Sequence, residues 1–100
     1  MRFMLTVRFG MEAGNAAVSN GKVAQLLQSA MEQLKPEAAY FGPIDGNRGC
    51  YLVVNFDDPS RIPSITESFF QNLHATVTFV PVMSPDELAK GVAALQKANA

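Results

Sequence analysis

Hydrophobic and polar residues alternate at the start of the chain. Phe3, Leu5, Val7 and Phe9 fall on one side, and Arg2, Thr6 and Arg8 on the other. A period of two is that of a β-strand with one buried face, and Gly10 ends it. From Lys22 the period lengthens. Val23, Leu26, Leu27, Ala30, Met31 and Leu34 stand at i, i+3, i+4, i+7, i+8 and i+11, a single helical stripe. Pro36 stops it, because proline supplies no N–H and disfavours helix at Lys35. Between strand and helix, Met11–Asn20 shows no clear period and reads as a loop or a frayed first turn.

Ala38–Ile44 is a short second strand. Asp45-Gly46-Asn47-Arg48-Gly49 follows as a hairpin connection, since Asp and Gly tolerate the positive φ that tight turns require. A phosphate cradle is a weak reading of this loop, because no Lys-Ser/Thr and no helix follow it. Cys50–Phe56 is the third strand, with no charge on either face. Asp58 can cap and Pro59 fits the first position of a second helix. Its buried stripe is Ile62, Ile65, Phe69 and Leu73, and Pro63 makes its first turn short or irregular. His74–Met83 is the fourth strand. Ser84-Pro85-Asp86-Glu87 then sets a cap, a first-turn proline and a capping box, so a last helix begins here with Leu88, Val92 and Leu95 as a narrow apolar stripe.

Two strand–helix–strand units joined by a hairpin predict an α+β, ferredoxin-like βαββαβ fold. Right-handed crossovers give an antiparallel sheet of order 4-1-3-2, with an extra C-terminal helix and with helices on one face. The prolines test the order: Pro43 and Pro81 fall in the two proposed edge strands, where a missing N–H is tolerated. The face opposite the helices would present Met4, Thr6, Arg8, Tyr51, Val53, Thr78 and Val80. So apolar a surface predicts a two-fold partner using the same face, that is, a homodimer.

Composition agrees with a hidden surface. One hundred residues make one domain, 1–100, and charged residues are only 17% of it, against about 25% in a typical globular protein. The net charge is −1 and the basic residues are scattered, which argues against nucleic acid as a partner. No apolar run approaches a membrane span. The single cysteine, Cys50, permits no intramolecular disulfide and suits a reducing, cytoplasmic location.

Candidate chemistry is sparse. His74 is the only histidine, so a general base of near-neutral pKa must be this one; at a helix-to-strand junction its ordinary role is capping or facing solvent. Asn55, Tyr51, Tyr40 and Arg8 are polar groups on or beside the sheet, and interface packing and backbone hydrogen bonding explain them equally well. Glu12 and Asn15 could line a pocket mouth. No metal and no cofactor are expected: one His, one Cys and the adjacent Asp57 and Asp58 are no ligand set. Cys50 has no sign of activation. Met4, Met11, Met31 and Met83 read as core or interface fillers, and Phe41, Phe56, Phe69, Phe70 and Phe79 as core.

The opening Met1-Arg2-Phe3-Met4-Leu5-Thr6-Val7, the Lys35-Pro36-Glu37-Ala38-Ala39-Tyr40-Phe41 segment, Gly49-Cys50-Tyr51-Leu52-Val53-Val54 leading into Asp57-Asp58-Pro59, and the closing Phe79–Leu88 run resemble the dimeric α/β-barrel superfamily, and within it its short uncharacterised domain families. The resemblance implies two sheets packed back to back. The superfamily includes monooxygenases, haem-degrading enzymes, muconolactone isomerases and dye-decolorising peroxidases, among which fold alone does not choose. A haem-degrading activity would make His74 an axial ligand; those enzymes tend to carry a tryptophan near the cofactor, and this chain has none. A cofactor-independent monooxygenase would use Asn55, Tyr51, Tyr40 and Arg8 to orient an aromatic substrate. Two readings follow. A protein that binds or transforms a small apolar or aromatic compound needs a cavity of a few hundred Å³ near His74, Asn55 or Tyr51. A non-catalytic dimeric module needs a filled core.

Overall fold

A computed structural model describes residues 1–99 of the chain. β1 (Arg2–Arg8) and β3 (Asn47–Asn55) pair at the centre of a four-stranded antiparallel sheet, with β2 (Ala38–Ile44) and β4 (Thr76–Pro81) at its edges. Read from either edge, the order is the expected one, and both strand prolines lie on edge strands. The register sets Leu5 opposite Leu52 and Phe79, and Val7 opposite Cys50 and Val77. Those positions face the helices.

Three helices cover that face: α1 (Met11–Ser19), α2 (Val23–Leu34) and α3 (Ile62–Leu73). The core joins Leu5, Val7, Phe9, Cys50, Leu52, Val54 and Phe56 to Ala17 of α1, Ala30 of α2 and Ile65, Phe69 and Leu73 of α3. Each large side chain fully buried there contributes about 1.5–3 kcal/mol. Phe3, Phe56 and Phe79 close one end, with Phe3 and Phe56 stacked at 4.8 Å between ring centroids and Phe79 edge-on to both.

The structure corrects several expectations. Met11–Ser19 is a helix. Its sequence, MEAGNAAVS, has small residues where a stripe would hold large ones, so Gly14 and Ala17 carry its buried side without a strong period. The hairpin is tighter than expected: only Asp45 and Gly46 form the turn, with φ of 48° and 85°, as the type I′ connection favoured by strand twist requires. Asn47, Arg48 and Gly49 are therefore strand. β4 is shorter than expected, because His74 at φ 46° closes α3 in the left-handed region. Pro59–Arg61 is a 3₁₀ turn capped by Asp58, and α3 starts after it, with Pro63 in its first turn. Ile62 is exposed, one turn ahead of the buried stripe. Phe41 and Phe70 are exposed too, not core.

α4 (Pro85–Ala98) begins with the capping box: Glu87 N–H donates to Ser84 Oγ, and Ser84 N–H to Glu87 Oε1 at 2.9 Å. It then leaves the body. Every residue from Pro85 to Ala98 is exposed, Leu88, Val92 and Leu95 included. Its first turn is tied back by Glu87 to Arg2, which also forks onto Glu37. Hydrogen bonding and charge from Glu37, then Glu87, hold the Arg2 guanidinium protonated still more firmly.

Candidate functional site

A cavity opens at the hairpin end of the helix-covered face, between the N-terminal halves of α1 and α2 and the β2–β3 hairpin. Its volume is about 600 Å³. Phe9, Met11, Val23, Leu27, Phe41 and Pro43 supply apolar wall, while Asn15, Asn47 and Arg48 supply the polar side chains. Alternation explains the placement. Phe41 and Pro43 point to the same side as Ala39, beyond the reach of α2, so Phe41 stays half exposed at 52%.

Arg48 is the one charged residue in the wall. Two residues back from Cys50 on β3, it lies on the helix side, and its side chain passes α1 at Gly14, where an added Cβ would make ordinary contacts at 3.5 Å from Nη1 and 3.8 Å from Cδ of Arg48. Nη1 donates to Asn15 Oδ1 at 2.8 Å. Asn47 is committed to the backbone frame. Its Nδ2 donates to the Phe9 carbonyl at 2.9 Å, and its Oδ1 accepts from Arg8 Nη2 at 3.0 Å.

None of the five residues singled out from the sequence lines this cavity. His74 is exposed at the C-terminus of α3, where Gly10 N–H bonds the neighbouring Leu73 carbonyl. Asn55, at the end of β3, accepts from the amino group of Met1, which also pairs with Asp57. Tyr51, Tyr40 and Arg8 share the open face of the sheet, where Tyr40 is cross-strand from Tyr51. Arg8 Nε donates to the Ile44 carbonyl and Nη2 to the Asp45 carbonyl, both at 3.3 Å, so it clamps the hairpin. Of the residues considered for a pocket mouth, Asn15 is in the wall and Glu12 is not.

Arg48 and Phe41 are the residues that sequence reasoning missed. Extending the inward series Val54, Leu52, Cys50 by two positions puts Arg48 on the helix side, and that signal was present. A second cavity, about 310 Å³, lies at the opposite end against Phe3, Phe56, Ile62 and Phe79. Its only ionisable side chain is Asp57.

Elsewhere the titratable groups do structural work. Burial alone pushes the Cys50 thiol up to about 11, making it a poor nucleophile. The backbone N–H of Ser60 holds Asp58 below the usual carboxylate range. The backbone N–H of Ser84, and after it Arg2, does the same for Glu87. Among the described residues no three His, Cys, Asp or Glu side chains cluster as metal ligands would. No helix among them is long and apolar enough to cross a membrane.

No curated protein matches the chain. A family model does, over residues 1–96, and its description is a domain of unknown function, DUF3303. With nearly the whole chain matched, from β1 to within α4, the protein belongs to that family.

Proposed function

We propose that the protein binds a small, largely apolar or aromatic compound in the cavity between α1, α2 and the β2–β3 hairpin, and that it does so as a cytoplasmic homodimer. The observation that carries the reading is the cavity itself. A space of about 600 Å³ walled mainly by apolar side chains lies within the range of small-molecule sites, about 300–1,000 Å³. Its polar side chains are few, and two of them, Arg48 and Asn15, are hydrogen-bonded to each other.

The partner is a second copy, with each sheet forming half of a ferredoxin-like dimeric α/β-barrel. Met4, Tyr51, Val80 and Tyr40 are all exposed on the open face, and a symmetric contact would cover them together. Because this face lies across the sheet from the cavity, dimerisation leaves the cavity open. A lone free cysteine, buried in β3, suits a reducing compartment. The alternative, a non-catalytic assembly module, draws on the structural bonds already made by Arg8 and Asn55.

Ligand-observed NMR with a panel of aromatic and aliphatic compounds tests the binding reading. Binders should perturb the amides of Phe9, Met11, Leu27, Phe41 and Gly42. Perturbations confined to the Phe3–Phe56–Phe79 end, or none at all, would overturn this placement.

A further inference from the structure

We infer that the compound bound in the hairpin cavity is a monoanion, a carboxylic acid with an aromatic or short aliphatic body, and that Arg48 receives its carboxylate. The inference rests on the cavity being a ligand site and deepens that reading. Arg48 is the one charged residue in a wall otherwise made of apolar groups, glycines and asparagines. Among the described residues the ion pairs are Met1–Asp57, Arg2–Glu37 and Arg2–Glu87, so Arg48 has no acidic partner.

Arg48 is exposed, and its guanidinium is held at one point. Asn15 Oδ1 takes one N–H at 2.8 Å, and the side chain passes Gly14 of α1 at van der Waals distance. A guanidinium has five N–H donors in a rigid fork that matches a carboxylate. With one donor occupied, four remain for an incoming anion. Asn47 cannot compete for them, because its amide is spent on Phe9 and Arg8. The amide nitrogen of Asn15 adds further donors beside the fork.

Charge count selects the class. One cation facing an apolar wall balances one negative charge. A phosphate ester brings about 1.5–2 negative charges and would leave part of that charge against Phe9, Val23 and Leu27.

Isothermal titration of the full chain with 4-phenylbutyrate, 4-phenylbutanamide and inorganic phosphate tests this. The acid should bind about ten-fold or more tighter than the amide, the difference expected for a charge-assisted pair over a neutral one. Phosphate should neither bind nor compete. Arg48→Met should abolish the preference, bringing the acid's affinity down to that of the amide. Arg48→Lys should retain a preference reduced by a few-fold, because an ammonium is charged but not forked. Equal binding of acid and amide, or a preference that survives Arg48→Met, would overturn the anion assignment and leave the cavity reading standing. Failure of both compounds, together with failure of the wider NMR panel, would overturn both.

Discussion

Val53→Lys is the sharpest probe of assembly. Val53 is half-buried on the open face, paired across β1 with Met4 and across β2 with Ala38. Four strands about 4.8 Å apart and seven residues rising about 3.3 Å each give that face about 450 Å² in projection. A stable homodimer buries about 800 Å² per partner, or at least about 600 Å², so the sheet alone falls short. The apolar stripe of α4, Leu88 to Leu95, spans about 10 Å at 1.5 Å per residue, and at a width of about 10 Å it adds about 100 Å². Sheet and stripe come near the lower bound, and in the proposed dimer α4, none of which is buried within its own protomer, would lie against the partner. In a monomer the new lysine points to water and costs less than about 0.5 kcal/mol. In the dimer it and its symmetry mate each lose about 2 kcal/mol or more of hydration, and like charges cannot pair. The dissociation constant should therefore rise about a thousand-fold. Sedimentation velocity at low micromolar concentration reads this, with circular dichroism confirming the fold. A variant that remains a folded dimer would refute the assignment of that face.

Other outcomes follow from single sites. At Gly49 a Cβ would overlap the Val7 carbonyl oxygen and lie 2.7 Å from Ile44 Cδ1; Gly49→Ala should cost at least about 2–3 kcal/mol in urea unfolding, because β1 and β3 must splay. His74 holds a left-handed φ of 46° that costs a non-glycine residue about 1 kcal/mol or more, so His74→Gly should leave ligand binding intact and raise stability by up to about 1 kcal/mol; a loss of binding would mean the ring has a role at the site. Cys50 has its folded pKa raised from 9.0 to about 11, so its contribution is whole below pH 9.0 and is lost as pH rises toward 11, by up to about 2–3 kcal/mol; Cys50→Ala should flatten that alkaline fall in denaturant titrations. On the acid side, Asp58 and Glu87 have lowered pKa values. Their contribution is present above their unfolded values and fades as pH falls below them.

Most of the fold was legible because each strand and each of the larger helices writes one period. Leu5 and Val7 alternate with Thr6 and Arg8, and both crossovers and the edge prolines agreed with one order. α1 was not legible. A helix whose buried side is Gly14 and Ala17 has no large residues to mark a stripe, and its place is fixed by packing against α3 and the hairpin. The cavity was illegible too, since it depends on how the N-terminal halves of α1 and α2 sit against the β2–β3 hairpin. Polar residues conspicuous in the sequence proved to have local duties. His74 ends a helix, Asn55 binds the amino terminus and Arg8 clamps a turn. Arg48 looked like part of a longer loop until the turn contracted to Asp45 and Gly46.

Native mass spectrometry of the protein purified from its own cells addresses the central claim most directly, because it reports subunit number and retained ligand together. The expected species is two 10.8 kDa chains carrying a small acid that is released on denaturation. A bare monomer at micromolar concentration would contradict it.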